Sequence, residues 1–266
     1  MGSPVQYTAA IFFDNEWTNI NSVQTYCSKI KCITIPETYP RPLVSFDAEP
    51  LLSYVQPFLD NGYYKLIRKA GYNNDNYDSA SGIQQEHAQQ LHEWIEETEG
   101  SRVAIFDWDR TITLIEGITG GILPNTMADI FTKYGIVDAN PAESTLLYLC
   151  GGEARLTMIR GMINECTRNG IDIIVLTNNL SGEGNTIFVN IVQTLIPTAS
   201  IICSAALSLP RHIRTNKGLV LKSDPRFKDI CTSERGGSRT SRRKTKSRKQ
   251  TKSRKQTKSR RHFISR

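Results

Sequence analysis

An apolar run ending in alternating aspartates stands near the middle of the chain: Val103-Ala104-Ile105-Phe106-Asp107-Trp108-Asp109-Arg110-Thr111. The run is too short for a helix and reads as a buried parallel strand, since three of its four residues are β-branched or aromatic. Asp107 and Asp109 then stand at the carboxyl end of a central strand, where open α/β sheets bind their ligands. Two carboxylates two residues apart can divide the labour of group transfer. One can attack phosphorus and bind a metal ion, and the other can move a proton. Further runs end in polar residues of the same kind. Thr8 to Phe13 leads into Asp14-Asn15, and Ile171 to Leu176 leads into Thr177-Asn178-Asn179. Near the end of the apolar part, Lys217 and Lys222 precede Asp224-Pro225.

These residues need strands that end together and helices that connect them. After Asp14 a helix is expected from Thr18 or Asn19, both good caps, and Lys31 to Pro36 reads as a strand stopped by proline. Residues 48–69 carry apolar positions suited to helices, and 71–82 reads as a loop rich in Asn, Asp, Ser and Gly. A helix is expected over 83–97, with Ile83, His87, Leu91, Trp94 and Ile95 on its apolar face, which makes His87 a core-edge residue rather than a ligand. Residues 114–151 form an insertion, with Pro124 opening a helix. A second amphipathic helix spans 153–169, a third 185–196, and a fifth strand 199–205.

The Asp-x-Asp-x-Thr ending of the 103–106 strand resembles the first motif of the haloacid dehalogenase superfamily, most of whose members are Mg²⁺-dependent phosphohydrolases. Thr177 resembles the second motif, in which a hydroxyl and a neighbouring backbone N–H, here at Asn178, hold a phosphate oxygen. Lys-x-Asp-Pro resembles the third; Lys222 fits best and Lys217 is the reserve. The strand ending in Asp14-Asn15 resembles the fourth, where many relatives have two adjacent acids. The family order is first to fourth, whereas here the fourth stands first, which implies a circular permutation with 37–101 bridging the old termini. The implied fold is a three-layer, Rossmann-like α/β domain with a parallel sheet over residues 1–234, carrying a small cap at about 114–151.

The resemblance also implies roles. Asp107 is the nucleophile and becomes an aspartyl phosphate. Asp109 is the general acid and base, and Lys222 neutralises charge. Mg²⁺ is held by Asp107, the Asp109 carbonyl and Asp14, with Asn15 contributing a carbonyl in place of an acid. Arg110 replaces a common glycine. The competing reading is a catalytically weak protein of the same fold that works as a nucleic-acid-binding or virion structural protein through its tail.

That tail, residues 235–266, holds 15 Lys and Arg and no acid, while the whole chain is +7, so the rest is net −8. Thr245-Lys-Ser-Arg-Lys-Gln repeats from Thr251, and a variant begins at Thr257. Such a segment has too little apolar surface to fold alone and is expected to be disordered and to bind nucleic acid or another polyanion by counterion release. Repetitive tails of this kind resemble those on proteins of large DNA viruses. The six cysteines are scattered without a CxxC pair, which predicts reduced thiols and an intracellular, cytoplasmic or nuclear protein. No stretch approaches the length of a transmembrane helix, the N-terminus lacks a signal-peptide layout, and no Gly-x₄-Gly-Lys-Ser/Thr loop points to a kinase partner.

Overall fold

The computed structural model describes residues 5–36, 82–113, 140–150, 153–178 and 186–231. The expected helices of 48–69 and after Pro124, and the basic tail, lie outside the described residues. The chain divides into two units, Met1–Ser233 and Glu234–Arg266.

Five parallel strands form one sheet: β1 (Ala9–Asp14), β2 (Lys31–Thr34), β3 (Arg102–Phe106), β4 (Asp172–Thr177) and β5 (Ser200–Cys203). Their spatial order is β2-β1-β3-β4-β5, which puts β3 at the centre between β1 and β4. All-parallel sheets need cover on both faces, and their strands are accordingly continuous apolar runs. Alternate residues supply the two faces. Ile11, Phe13, Ala104, Phe106, Ile173 and Val175 pack under α2 (Gln85–Glu97), α4 (Glu153–Arg168) and α5 (Thr186–Leu195). Ala10, Phe12, Val103, Ile105, Ile174 and Leu176 pack under α1 (Trp17–Tyr26) and α7 (Lys217–Ser223). The architecture is therefore α/β in three layers. Two further helices are α3 (Pro141–Cys150), which the sequence reading absorbed into the insertion, and the short α6 (Arg211–Arg214). Among the described residues no helix is long and apolar enough to cross a membrane.

His87 is buried, and its Nδ1 accepts the backbone N–H of Gln84 in a box that caps α2. The expectation of six reduced thiols is corrected. Cys27 and Cys231 form a disulfide that ties the end of α1 to the last described turn, and Cys32, Cys150, Cys166 and Cys203 take part in no disulfide. The two partners are 204 residues apart in sequence, so spacing gave no hint of the pair.

Candidate active site

β1 and β3 lie side by side with Phe13 opposite Phe106, and the Asp107 N–H donates to the Phe13 carbonyl at 2.9 Å. Asp14 and Asp107 are each the next residue, so the two carboxylates share one edge of the sheet. One cation joins them. The Lys217 ammonium donates to Asp14 Oδ2 at 2.7 Å and also to Asp107 Oδ1. Lys217 and Asp14 are fully buried and Asp107 nearly so.

Asp14 is further held by the Glu16 N–H at 2.7 Å on Oδ1, and by the Asn19 amide at 3.3 Å on Oδ1 and 3.1 Å on Oδ2. Asn19 was expected as a helix cap; it sits inside α1 instead and spends its side chain on this carboxylate. α1 begins at Trp17 with no side-chain cap, and Asp14 accepts the N–H of Glu16 just before it.

Lys217 reaches the site because α7 starts there. Asn216 caps the helix, its Oδ1 accepting the Leu219 N–H at 2.9 Å and the Ser22 hydroxyl. Gly218 lets α7 lie against α1: a Cβ there would stand 2.3 Å from the Ser22 carbonyl oxygen. Lys222, the preferred lysine of the sequence reading, is not brought to the site. It lies five residues further along α7, about 7.5 Å down the axis and on another face. Its side chain is exposed, with the ammonium 5.5 Å from the Tyr26 ring centre. Asp224 of the Lys-x-Asp-Pro stretch caps the following turn and pairs with Arg226 at 2.7 Å.

The turn after Asp107 is irregular. Arg110 has φ 58° and ψ 10°, a left-handed conformation in which a side chain is strained. That turn aims the Thr111 hydroxyl inward. It accepts the Asn15 N–H at 3.2 Å and lies 3.4 Å from both Asn15 Oδ1 and Asp107 Oδ2, so its one hydrogen can serve either oxygen. Trp108 fills the core beside Phe188, ring edge to face at 5.6 Å.

On the far side of β3, Phe106 is in register with Val175, which carries Thr177 to the same edge, flanking Asp107 opposite Asp14. Thr177 is buried; Asn178 is exposed and its Oδ1 accepts the Ser204 hydroxyl.

Burial and the neighbouring Asp14 and Asp109 charges push the Asp107 carboxyl up to about 7 against the opposing pull of Lys217. Burial works to lower the Lys217 ammonium, but Asp107 and Asp14 outweigh it and hold it above its ordinary value. Two carboxylates thus share one buried lysine, and Asp109 adds a further negative charge near Asp107 that favours its protonated form.

Among the described residues no group of three or more His, Cys, Asp and Glu side chains is arranged to hold a metal ion. Asp14 is saturated by Lys217, Asn19 and Glu16. Asp107 Oδ2 and the Asn15 carbonyl, by contrast, face a common point at Thr111. Hard oxygen donors of this kind suit a small divalent cation such as Mg²⁺, which keeps several waters.

Sequence reasoning named Asn19 only as a helix cap and Thr111 only as the end of a motif, and it missed the primacy of Lys217. The Asn-Lys-Gly start of α7 was the signal for the last. No family model, no curated protein and no solved structure matches this chain.

Proposed function

We propose that the chain is a circularly permuted, haloacid dehalogenase-like phosphohydrolase that acts on a phosphomonoester through an aspartyl phosphate. The observation that carries this reading is the meeting of Asp14, Asp107 and Lys217 at neighbouring strand tips. The first- and fourth-motif strands are neighbours although they stand in reversed order along the chain, which is what a permutation requires.

In this reading an Asp107 carboxylate oxygen attacks phosphorus and the ester P–O bond breaks. Asp109 gives its proton to the leaving oxygen. Asp109 then takes a proton from water, the water oxygen attacks the aspartyl phosphate, and inorganic phosphate leaves with Asp107 restored. Lys217, not Lys222, neutralises the nucleophile, and Asp14 holds Lys217 in place. Thr177 and the neighbouring backbone orient the phosphoryl group. Asp107, Asn15 and the Asp109 carbonyl are the residues that would hold Mg²⁺. When bound, the ion offsets the charge that gathers on the phosphoryl oxygens.

The basic repeats of 235–266 support nucleic acid as the polyanion partner, and a nucleic-acid end as a candidate substrate. The saturation of Asp14 and the single acid of Asp14-Asn15 favour a second reading, a catalytically weak protein of this fold that binds nucleic acid through its tail.

Hydrolysis of a generic aryl phosphate with Mg²⁺ separates the two. Turnover that Asp107→Asn abolishes supports the enzyme. No turnover by the native chain across neutral pH sinks it.

A further inference from the structure

We propose that Arg155, a residue far from the motifs in sequence, is the positioning residue of this site: its guanidinium sets the turn that carries Thr111, and through Thr111 it sets Asn15 and Asp107. Arg155 lies in the first turn of α4 and is 1% exposed. A cation at that place opposes the helix dipole, so helix stability does not explain it. Its contacts do. Nη2 donates to the Thr111 carbonyl at 3.0 Å and Nη1 to the Ile112 carbonyl at 2.6 Å. Nη1 also donates to the Cys150 carbonyl at 3.1 Å, and Nε to the Ile83 carbonyl at 3.1 Å.

These carbonyls belong to three segments that nothing in the sequence links. Ile83 precedes α2. Thr111 and Ile112 close the turn after Asp107, immediately before the 114–151 insertion. Cys150 ends α3, at the insertion's other foot. One guanidinium therefore pins both feet of the insertion to the turn of the nucleophile. The Ile83 N–H adds to the grip by donating to the same Thr111 carbonyl at 2.9 Å. On the other side of Thr111 its hydroxyl meets Asn15 and Asp107. Arginine suits this task because its donors are fixed in a planar fork; a lysine has one mobile head and cannot serve four carbonyls in three directions.

The kinetic part of this inference rests on the phosphohydrolase reading, and the structural part does not. Arg155→Lys keeps the charge and loses the fork. It is expected to accelerate amide exchange at Asn15 and Ile83 by about tenfold, while the amides of β4 keep their rates, because only local bonds are released. In turnover, kcat is expected to fall on the order of 10- to 100-fold with KM nearly unchanged, as for a misplaced reacting group.

Because the substitution can unfold the chain, the native protein is measured as well. The Arg155 Nε–H and Nη–H protons are expected to be protected and separately resolved by NMR. A rapidly rotating, averaged guanidinium overturns the proposal. So does unchanged exchange at Asn15 and Ile83 in a folded Arg155→Lys, or equal acceleration of every amide, which would make Arg155 a general stabiliser. A native chain without turnover would remove the phosphohydrolase reading and leave the exchange result to decide the role of Arg155.

Discussion

Lys217 and Asp14 are 203 residues apart in sequence, and their ammonium and carboxylate stand 2.7 Å apart with neither open to solvent. Burying such a pair costs desolvation on both sides, and the cost is met only when the remaining hydrogen-bonding capacity is satisfied. Asn19 and the Glu16 N–H satisfy Asp14, and Asp107 takes a further bond from the ammonium. The pair also ties the amino-terminal strand to α7, at opposite ends of the folded unit's sequence.

Removing this lysine leaves two buried carboxylates facing each other. Lys217→Met is expected to destabilise the fold by about 3–5 kcal/mol, as for broken buried pairs. Lys222→Met, on an exposed side chain, is expected to change stability by about 0.5 kcal/mol or less. Urea denaturation of both variants measures this. Equal effects, or a larger effect at Lys222, would contradict the assignment of Lys217.

Asp107 gives the metal-free protein a specific pH dependence. Its carboxyl is raised from 3.8 to about 7 on folding, chiefly by burial. The folded state therefore holds a proton that the unfolded state has released. Stability from this group is fully present below 3.8 and is lost as pH rises through about 7. Thermal unfolding in chelator is expected to weaken between pH 4 and 7 by this contribution, and Asp107→Asn to lack it. Millimolar Mg²⁺ is expected to raise the native melting temperature above pH 7 and to leave Asp107→Asn unmoved. An identical Mg²⁺ response in the two proteins would count against the ion lying at Asp107.

Arg110 holds a left-handed backbone at φ 58°. Glycine adopts this conformation without strain and alanine does not. Arg110→Gly is expected to be more stable than Arg110→Ala by about 1 kcal/mol, because both lose the same side chain and only one relieves the backbone. Equal stabilities in denaturant titration would show that the turn is not strained.

The tail makes its own prediction. Binding of the full chain to DNA of arbitrary sequence is expected to weaken steeply with salt, with a log–log slope of roughly −5 or steeper. Truncation after Glu234 is expected to remove most of that slope. Undiminished affinity in the truncated chain would move the polyanion site onto the folded unit.

Much of the sheet was legible because parallel strands buried on both faces are continuous apolar runs, and each ended at or within a few residues of where its run ended. That is why the sequence alone sets Asp14, Asp107 and Thr177 at strand tips. Lysines carry no such signature. Lys-x-Asp-Pro drew attention to Lys222, but that stretch is a capped surface turn, and the decisive features of Lys217 are the Asn216 cap and the Gly218 contact with α1. Asn19 looked like a helix cap because its side chain suits one; a carboxylate five residues earlier claimed it. The Cys27–Cys231 disulfide and the reach of Arg155 to Thr111 join residues that only the finished fold brings together.

The central claim is that Asp107 carries the phosphoryl group during turnover. Rapid acid quench of the native protein with a phosphomonoester and Mg²⁺, followed by peptide mass mapping, reads this directly. The expected result is one phosphoryl group on the peptide containing Asp107, acid-stable and base-labile, and none in Asp107→Asn. Hydrolysis without a labelled peptide, or label carried by any other residue, would contradict it.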